Sequence, residues 1–345
     1  MPSPEPAAGP DRTRRTLSAV VGGLVAVALM VWALRGVHLD EVARHLRHAH
    51  LAPIAVATVI ATSTYVIRLI RWRLLLRDAD GGPLPVRPLW HAVAIGFMAN
   101  NMLPFRAGEL VRSIAASRLA GARFTAALSS VAVERIFDGL AVVALWSLAL
   151  IASDLPPDVA VGGMPVRHAA QAAGAIGVVA LLVALAVVVF PLAAERAIRA
   201  VLPAGRFVDR LVSLIEGIRH GLSALRSPAL LGGTIFWSLL LWLTNALAFY
   251  VAFRAFDIPV GFVGALVMQG ILIFGITVQL TPGFLGQFEA AIVAALALYR
   301  IPNDLASSYA IAFHVTTFLP IILLGGWSLA RTPVALSDLR AGRQA

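Results

Sequence analysis

The sequence predicts an all-α polytopic membrane protein, with about six transmembrane helices and two inverted re-entrant helical hairpins. Hydrophobic residues make up 59% of its 345 residues and charged residues only 13%, whereas a soluble domain has about 25% charged residues. Several stretches lack Asp, Glu and Arg over roughly the 20 residues that a helix needs to cross a bilayer. Two further apolar segments are interrupted by Pro and Gly, which favours hairpins over simple crossings.

Six predominantly apolar stretches are interpreted as simple crossings. They cover residues 16–34, 51–67, 124–153, 169–194, 227–253 and 305–330. The first follows three Arg residues, but it is long for the apolar core of a signal peptide and no convincing cleavage site follows it. We therefore expect a retained helix, a disordered cytoplasmic N-terminus over residues 1–15, a transmembrane domain over 16–330 and a cytoplasmic tail over 331–345.

The two remaining apolar segments are predicted to enter and leave on the same side of the membrane. Residues 88–105 are apolar, but the following residues 106–121 carry four charged side chains and are too polar to cross facing lipid. Residues 258–288 are uncharged, and a further apolar stretch runs to Tyr299. We expect this second hairpin to be broken at Thr281, Pro282 and Gly283, because proline interrupts a helix.

Arginine placement predicts the orientation, because cytoplasmic loops carry an excess of basic residues. The formal charge is +10, and all 28 basic residues are Arg. With the N-terminus inside and both hairpins returning to their own side, 21 Arg residues lie inside and six outside. Both termini are then cytoplasmic in a bacterial-type inner membrane. Anionic lipid headgroups are the expected partner of the Arg excess, and nucleic acid is not.

The two predicted breaks have similar sequences. Pro104 is followed four residues later by Gly108 and then by Glu109, and Pro282 is followed by Gly286 and then by Glu289. Three crossings separate the hairpins, so the hairpins would enter from opposite sides. Inverted hairpins with broken helices are typical of transporters, in which the helix ends face a cavity near the midplane.

Three ordered motifs resemble a known family. They are NMLPFRAGELVR at 101–112, ERIFD at 134–138 and TPGFLGQFE at 281–289, together with the Arg71-Trp72 pair. They are similar to the flippase-like transmembrane domain of lysylphosphatidylglycerol synthases and their stand-alone relatives, over about residues 17–330. The resemblance implies movement of an aminoacylated phospholipid or a polyprenyl-phosphate-linked sugar between leaflets, and it places Arg71 in the substrate site. We expect no lysine transfer, because the sequence has no soluble aminoacyl-transfer domain.

The charged residues of the first hairpin are candidate substrate ligands. Glu109 and Glu289 each follow a break, so each could be a helix cap or a group that binds a cationic headgroup or a proton. Arg106 and Arg112 could hold a lipid phosphate. Alternatively, the i, i+3 spacing lets Glu109 and Arg112 form an internal ion pair.

A second set of candidates lies inside a predicted crossing. Glu134 and Asp138 share one helical face beside Arg135, and charged groups there must face a cavity or each other. They could pair with Arg106 or Arg112, or bind the headgroup directly. The remaining candidates are Asn100 and Asn101, which would satisfy freed backbone groups or contact the headgroup, and the helix-break residues Pro104, Gly108, Pro282, Gly283 and Gly286.

Several other functions lack support in the sequence. The four His residues at 38–50 lie on the wet face of a predicted interfacial helix, so we expect neither a metal site nor a cofactor. Residues 208–225 have the spacing of an amphipathic surface helix. No nucleotide-binding or hydrolase motif is present. We therefore predict a lipid translocator rather than an enzyme.

Two alternatives stay open. One is a membrane subunit that presents a lipid to a separate glycosyl- or aminoacyl-transferase partner. The other is a structural scaffold, in which Glu109→Gln and Glu289→Gln would change nothing. The oligomeric state is not predicted.

Overall fold

The structure is a computed structural model that describes residues 38–78, 82–103, 106–153, 155–156, 160–161, 164–189, 191–201, 205 and 228–334. Four sequence predictions concern residues outside these ranges: the N-terminal segment 1–15, the first crossing at 16–34, the amphipathic helix at 208–225 and the tail beyond residue 334. Pro104, one of the predicted helix-break residues, also lies outside the described residues.

Within the described residues, four helices are long and apolar enough to cross a membrane. They are α2 (Leu51–Leu75), α5 (Phe124–Ala152), α8 (Pro228–Phe253) and α11 (Asn303–Ala330). Each coincides with one predicted crossing. Their outer faces carry exposed large apolar side chains such as Leu51, Val59 and Phe236, as expected where the surrounding solvent is hydrocarbon. The predicted crossing at 169–194 corresponds to α6 (Val166–Val189). Its 24 residues extend about 36 Å.

The two predicted hairpins are helix pairs packed side by side. The first consists of α3 (Val86–Met102) and α4 (Gly108–Ala120), and the second of α9 (Phe262–Gly275) and α10 (Gln287–Ala297). In the first hairpin, Gly108 lies against the Gly96 carbonyl and Asn100, where a Cβ atom would overlap both. A residue without a side chain is therefore required for α3 and α4 to approach this closely.

Shorter elements complete the described chain. They are α1 (Leu39–His48), the two-residue strands β1 (Ala160–Val161) and β2 (Met164–Pro165), α7 (Pro191–Val201), and 3-10 turns at Arg254–Phe256 and Pro282–Phe284. Helix α1 has the amphipathic pattern predicted for it: Val42 is buried, and the helix packs on α11. The predicted all-α polytopic fold class is confirmed.

Helix α11 connects the two hairpins, because it packs against α3 of the first and α10 of the second. Its contact with the second hairpin is aromatic: Phe288 lies 6.4 Å from Phe313 and 5.7 Å from Phe318 between ring centroids. Helix α8 packs against α2 and α5 on another side of the bundle. The break of each hairpin is thereby held against long helices.

The second break is longer than the sequence predicts. The expected interruption was at Thr281, Pro282 and Gly283, but α9 already ends at Gly275 and α10 starts only at Gln287. The Gln287 side chain takes over backbone groups in between. Gln287 accepts hydrogen bonds from the amides of Leu280 and Thr281 through its Oε1 atom, so proline is not needed where the helix stops.

Candidate functional site

Two arginines and two carboxylates form a buried charged cluster between helices α2, α4 and α5. Arg71 contacts Glu134 at 2.8 Å and Asp138 at 2.5 Å. Arg112 contacts the other Glu134 oxygen at 2.8 Å. All four residues are buried, and their charges cancel. Such a cluster is stable in a low-dielectric interior only because each charge has a close partner.

Neutral groups complete the hydrogen bonding of this cluster. Asp138 accepts a hydrogen bond from the Trp242 indole at 3.1 Å, and Arg71 donates to the Ser238 hydroxyl at 2.8 Å. Both partners lie on α8, so a fourth helix is tied to the cluster. The Arg112 guanidinium lies 4.3 Å from the centre of the Trp72 ring. The aromatic face offers the cation a favourable contact away from water.

Four half-buried charged residues form a rim around the buried cluster: Arg68, Arg106, Glu109 and Arg135. The Arg135 side chain is 31% exposed and contacts Glu134, Asp138 and, at 3.6 Å, the 25% exposed Glu109. Arg68 and Arg106 both lie near enough to Arg135 and Asp138 to interact with their charges. The rim therefore carries three positive charges against one negative charge.

Two rim arginines have donor capacity to spare. Arg68 lies 4.8 Å from the Phe97 ring centre, and its Nε and Nη1 atoms have no hydrogen-bond partner among the described residues. The Arg106 side chain makes one long contact of 3.4 Å with the Ile276 carbonyl, and its Nε atom is likewise unpartnered in the described part of the chain. Guanidinium groups in this state can receive an anion.

The expected pairing of Glu109 with Arg112 is wrong. Arg112 points toward Glu134, whereas Glu109 contacts Arg135. The i, i+3 spacing permits a pair within α4, but both side chains find partners on α5 instead. Glu134 does pair with Arg112, as one sequence interpretation proposed. Arg106, the alternative partner of the carboxylates in that interpretation, bonds instead to the second hairpin.

Gln279 joins the tips of the two hairpins. Its Oε1 atom accepts a hydrogen bond from the Arg106 amide at 2.9 Å, and its Nε2 atom donates to the carbonyls of Asn100 at 2.9 Å and Leu103 at 3.1 Å. These are backbone groups freed where α3 ends. A buried Gln of the opposite hairpin therefore satisfies these groups. The sequence had predicted this role for the side chains of Asn100 and Asn101.

The glycines of the two breaks have different roles. Arg106, not Gly108, has a positive φ of 51° in the first break, and Gly108 instead allows close helix packing. In the second break, Gly283 has a φ of 62° and Gly286 a φ of 79°, conformations that glycine adopts readily. Pro282 begins the 3-10 turn there.

Glu289 belongs to a second polar site, separate from the charged cluster. Its Oε2 atom accepts a hydrogen bond from the Gly286 amide at 2.8 Å, which confirms that it caps α10. Its Oε1 atom lies 2.5 Å from Nδ1 of His314 on α11. Nε2 of His314 lies 2.9 Å from the Gly283 carbonyl. Both side chains are buried.

The Glu289–His314 pair lies at the edge of an apolar cavity of about 580 Å³. Asn101 and Met102 from the first hairpin, Leu285 from the second break and Phe318 from α11 contribute to its wall. A cavity of this volume is in the range that accommodates a small ligand or part of a larger one. Among the described residues, no group of three His, Asp or Glu side chains is placed to hold a metal ion.

The structure thus divides the predicted site residues among three places. Those in or around the charged cluster are Arg71, Arg106, Glu109, Arg112, Glu134, Arg135 and Asp138. Asn100 lies at the junction of the hairpin tips, and Asn101 and Glu289 line the cavity. The predicted site residues do not include Arg68, Gln279 and His314. Their signal was present, since each is a polar residue within an otherwise apolar membrane segment.

Known proteins resemble this chain along nearly its whole length. Residues 19–325 match the family described as the lysylphosphatidylglycerol synthase TM region. A glycosyltransferase named AglD, from Haloferax volcanii, is 30% identical over 360 aligned positions, which cover 95% of this chain and 56% of that protein. A UPF0104 membrane protein from Methanothermobacter thermautotrophicus is 25% identical over 331 positions, which cover 91% of this chain and 92% of that protein. The chain therefore spans only about half of one relative and most of the other.

Proposed function

The chain belongs to the lysylphosphatidylglycerol synthase TM-region family, and we propose that it moves a lipid between the two leaflets of a cell membrane. The observation that carries this proposal is the charged cluster between helices α2, α4 and α5, with its half-buried rim. Ionisable residues within membrane segments are costly, and they mark substrate paths more often than they serve packing alone.

The charge of the rim favours an anionic group on the lipid. Glu134 and Asp138 occupy the Nη atoms of Arg71 and Arg112, which leaves only the Nε atom of each unpartnered among the described residues. These two arginines therefore hold the helices rather than the substrate. Arg68 and Arg106 retain free donors, and a phosphate can accept from planar guanidinium groups. We therefore assign the phosphate contact to Arg106 and Arg68, in place of the Arg106 and Arg112 predicted from the sequence.

The candidate substrates are an anionic or aminoacylated phospholipid and a polyprenyl-phosphate-linked sugar. All of them carry the phosphate that the rim would bind. The acyl or prenyl chain would stay in the bilayer or occupy the apolar cavity beside Glu289 and His314. A lipid gradient or the membrane potential would supply the driving force.

Lipid translocation in proteoliposomes tests the proposal. Fluorescent analogues of the three lipid classes are compared for the wild type, Arg68→Gln, Arg106→Gln and the control Arg331→Gln, which removes an exposed Arg at the end of α11. Charge-assisted hydrogen bonds are worth about 1.5–3 kcal/mol. We therefore expect each rim variant to lower the rate about ten- to hundred-fold for the transported lipid, and the control to leave the rate within about two-fold.

Folded wild-type protein that moves none of these lipids faster than empty vesicles would exclude the proposal. Equal rates for the rim variants and the wild type would exclude the rim as the phosphate site while leaving translocation itself intact. Thermal unfolding of every variant in detergent establishes that it is folded.

A second candidate function is supported by one comparison. The relative AglD is named a glycosyltransferase, and 44% of its length lies outside the alignment with this chain. A membrane domain of this family could therefore present a lipid to a transferase carried on another polypeptide. Translocation that requires a second protein, or lipid binding without translocation, would favour this alternative.

A further inference from the structure

The hydrogen-bond geometry of His314 fixes where its protons are. A backbone carbonyl only accepts hydrogen bonds, so the 2.9 Å contact with the Gly283 carbonyl requires a proton on Nε2. An ionised carboxylate also only accepts, and Nδ1 lies 2.5 Å from Oε1 of Glu289. A second proton must lie between these two atoms, either on Nδ1 or on the carboxyl group. The pair therefore holds one proton more than a neutral imidazole and a carboxylate would.

Loss of that proton is incompatible with both contacts. A neutral imidazole has a single N–H, which can face either the Gly283 carbonyl or Glu289. If it stays toward Gly283, a nitrogen lone pair faces a carboxylate across 2.5 Å. If it moves toward the carboxylate, which is the stronger acceptor, the Gly283 bond is lost.

The Gly283 bond ties the second break to α11, together with a contact between the rings of Phe284 and Phe318, whose centroids lie 6.4 Å apart. Among the hydrogen bonds of the described residues, it is the one that joins the Pro282–Phe284 turn to that helix. The turn is strained at Phe284, a non-glycine residue with a positive φ of 59°. Gly283 and Leu285 also form part of the cavity wall, so release of the turn would change the shape of the cavity.

Glu289 is the one charged side chain that contacts His314 among the described residues. The other neighbours are the rings of Phe288, at 4.4 Å, and Phe318, at 4.2 Å between ring centroids. Five titratable groups on α11 and on the helices packed against it contact other groups. Their partners are as follows: Asp304 with His38, Tyr309 with the Phe249 carbonyl, His91 with the Trp327 ring, Arg68 with the Phe97 ring, and Arg71 with Glu134 and Asp138.

We propose that Glu289 and His314 form a proton-binding site whose shared proton latches the tip of the second hairpin to α11, and that release of this proton opens the adjacent cavity. No other atom leaves or enters, and the proton passes to water or to the bound lipid. The site would make the proton the ion that is coupled to lipid movement. That coupling rests on the proposed function, whereas the latch itself does not.

A spin label in the break tests the latch directly. The chain contains no Cys, so Leu285→Cys gives a single attachment site, which is 52% exposed and lies on the cavity wall. The label is attached at one pH, and its mobility is then measured by electron paramagnetic resonance from pH 5 to pH 9. We expect the mobility to rise with pH in a single one-proton transition. Phe236→Cys, 58% exposed on α8, serves as the control, and its spectrum should not change.

Two substitutions in the Leu285→Cys background should abolish the transition in opposite ways. Glu289→Gln supplies an amide that can accept from Gly286 and donate to Nδ1, so His314 can bond to Gly283 without an extra proton and the label should stay restrained at every pH. His314→Leu removes both bonds, so the label should be mobile at every pH.

Two results would overturn the proposal. One is a label on Leu285→Cys, with Glu289 and His314 intact, whose mobility does not change with pH. The other is a Glu289→Gln variant of that protein that shows the same transition. The first result does not depend on any variant at the pair, so it remains decisive even where a substitution impairs folding. A latch that responds to pH in a protein that moves no lipid would refute the proposed function alone. Lipid movement in a protein whose latch does not respond would refute the latch alone.

Discussion

At the scale of single residues, the charges of the buried cluster are compatible with a membrane interior because each one lies against a group of opposite charge. Arg71 bridges Glu134 and Asp138, and Glu134 in turn faces both Arg71 and Arg112. Removing one member leaves its partners buried as uncompensated charges. The resulting loss of folding stability is larger than the net stability that a buried ion pair contributes. The cluster therefore acts as a single unit.

This reasoning predicts a large effect of Glu134→Gln on stability. The substitution leaves Arg71 and Arg112 with one carboxylate fewer between them, and we expect the protein to lose about 3–5 kcal/mol. Glu195→Gln is the matched control, because its pair with Arg199 is 28% and 51% exposed and should contribute less than about 1 kcal/mol. Thermal unfolding of both variants in the same detergent provides the comparison. Similar losses for the two would show that the cluster is not a stabilising unit.

The sequence could predict which residues join this cluster but not which of them pair. Ionisable residues inside apolar segments must meet partners. That rule selected Arg112, Glu134 and Asp138 of the cluster and Arg135 of its rim. Partner choice depends on how helices face each other, which no local spacing determines. The local rule of i, i+3 pairing accordingly failed for Glu109, whose partner lies on the neighbouring helix.

At the scale of secondary-structure elements, close helix packing holds each hairpin in shape. Gly108 brings the start of α4 against the Gly96 carbonyl and Asn100. Gln279 then bonds to the backbone groups that the break leaves free. The hairpin tip is thus fixed by one glycine and one distant side chain.

Gly108→Ala should destabilise the first hairpin. The added methyl group would overlap backbone atoms of α3, and such overpacking costs about 1–3 kcal/mol. Gly139→Ala is the control, since a Cβ atom there meets nothing within 4 Å and a helical Ala is more favourable than Gly by roughly 1 kcal/mol. We expect a lower unfolding temperature for the first variant and an equal or higher one for the second. A shift in the same direction and of similar size for both would contradict the packing argument.

The hairpins could be predicted from the sequence because charges and prolines interrupt their hydrophobic pattern. The exact extent of the second break could not. Residues between Gly275 and Gln287 are apolar apart from Thr277, Gln279 and Thr281, and their pattern continues that of α9. The helix ends early because Gln287 and Gln279 bond to backbone groups across the break and between the hairpins, interactions that only the folded chain brings about.

At the scale of the whole molecule, the two hairpins meet tip to tip although they are far apart in the chain. Arg106 and Gln279, which bond directly, are separated by 173 positions. The first hairpin contributes Arg106 and Glu109 to the rim, and the second contributes Glu289, whose partner His314 lies on α11. The junction between the tips connects the two sites. A proton-dependent movement of the second tip would therefore act on the backbone next to Arg106, which places the two polar sites in one mechanical unit.

The inverted arrangement predicted for the hairpins has a consequence for sidedness. Three predicted crossings, which correspond to helices α5, α6 and α8, separate the two hairpins, and an odd number of crossings reverses the side of the membrane. The turn before α5, at Arg123, should then face the cytoplasm, and the turn before α11, at Asn303, should face the outside. Both residues are exposed, and the absence of Cys from the sequence makes Arg123→Cys and Asn303→Cys single reactive sites.

A membrane-impermeant maleimide added to intact cells should modify Asn303→Cys and spare Arg123→Cys, which should react only after the membrane is opened. Full modification of both after lysis shows that neither is hidden by folding. Reaction of both from the same side would mean that an even number of crossings separates the hairpins. The tips would then enter from one face, and a lipid path through their junction could not alternate between leaflets by the symmetry that inverted hairpins provide.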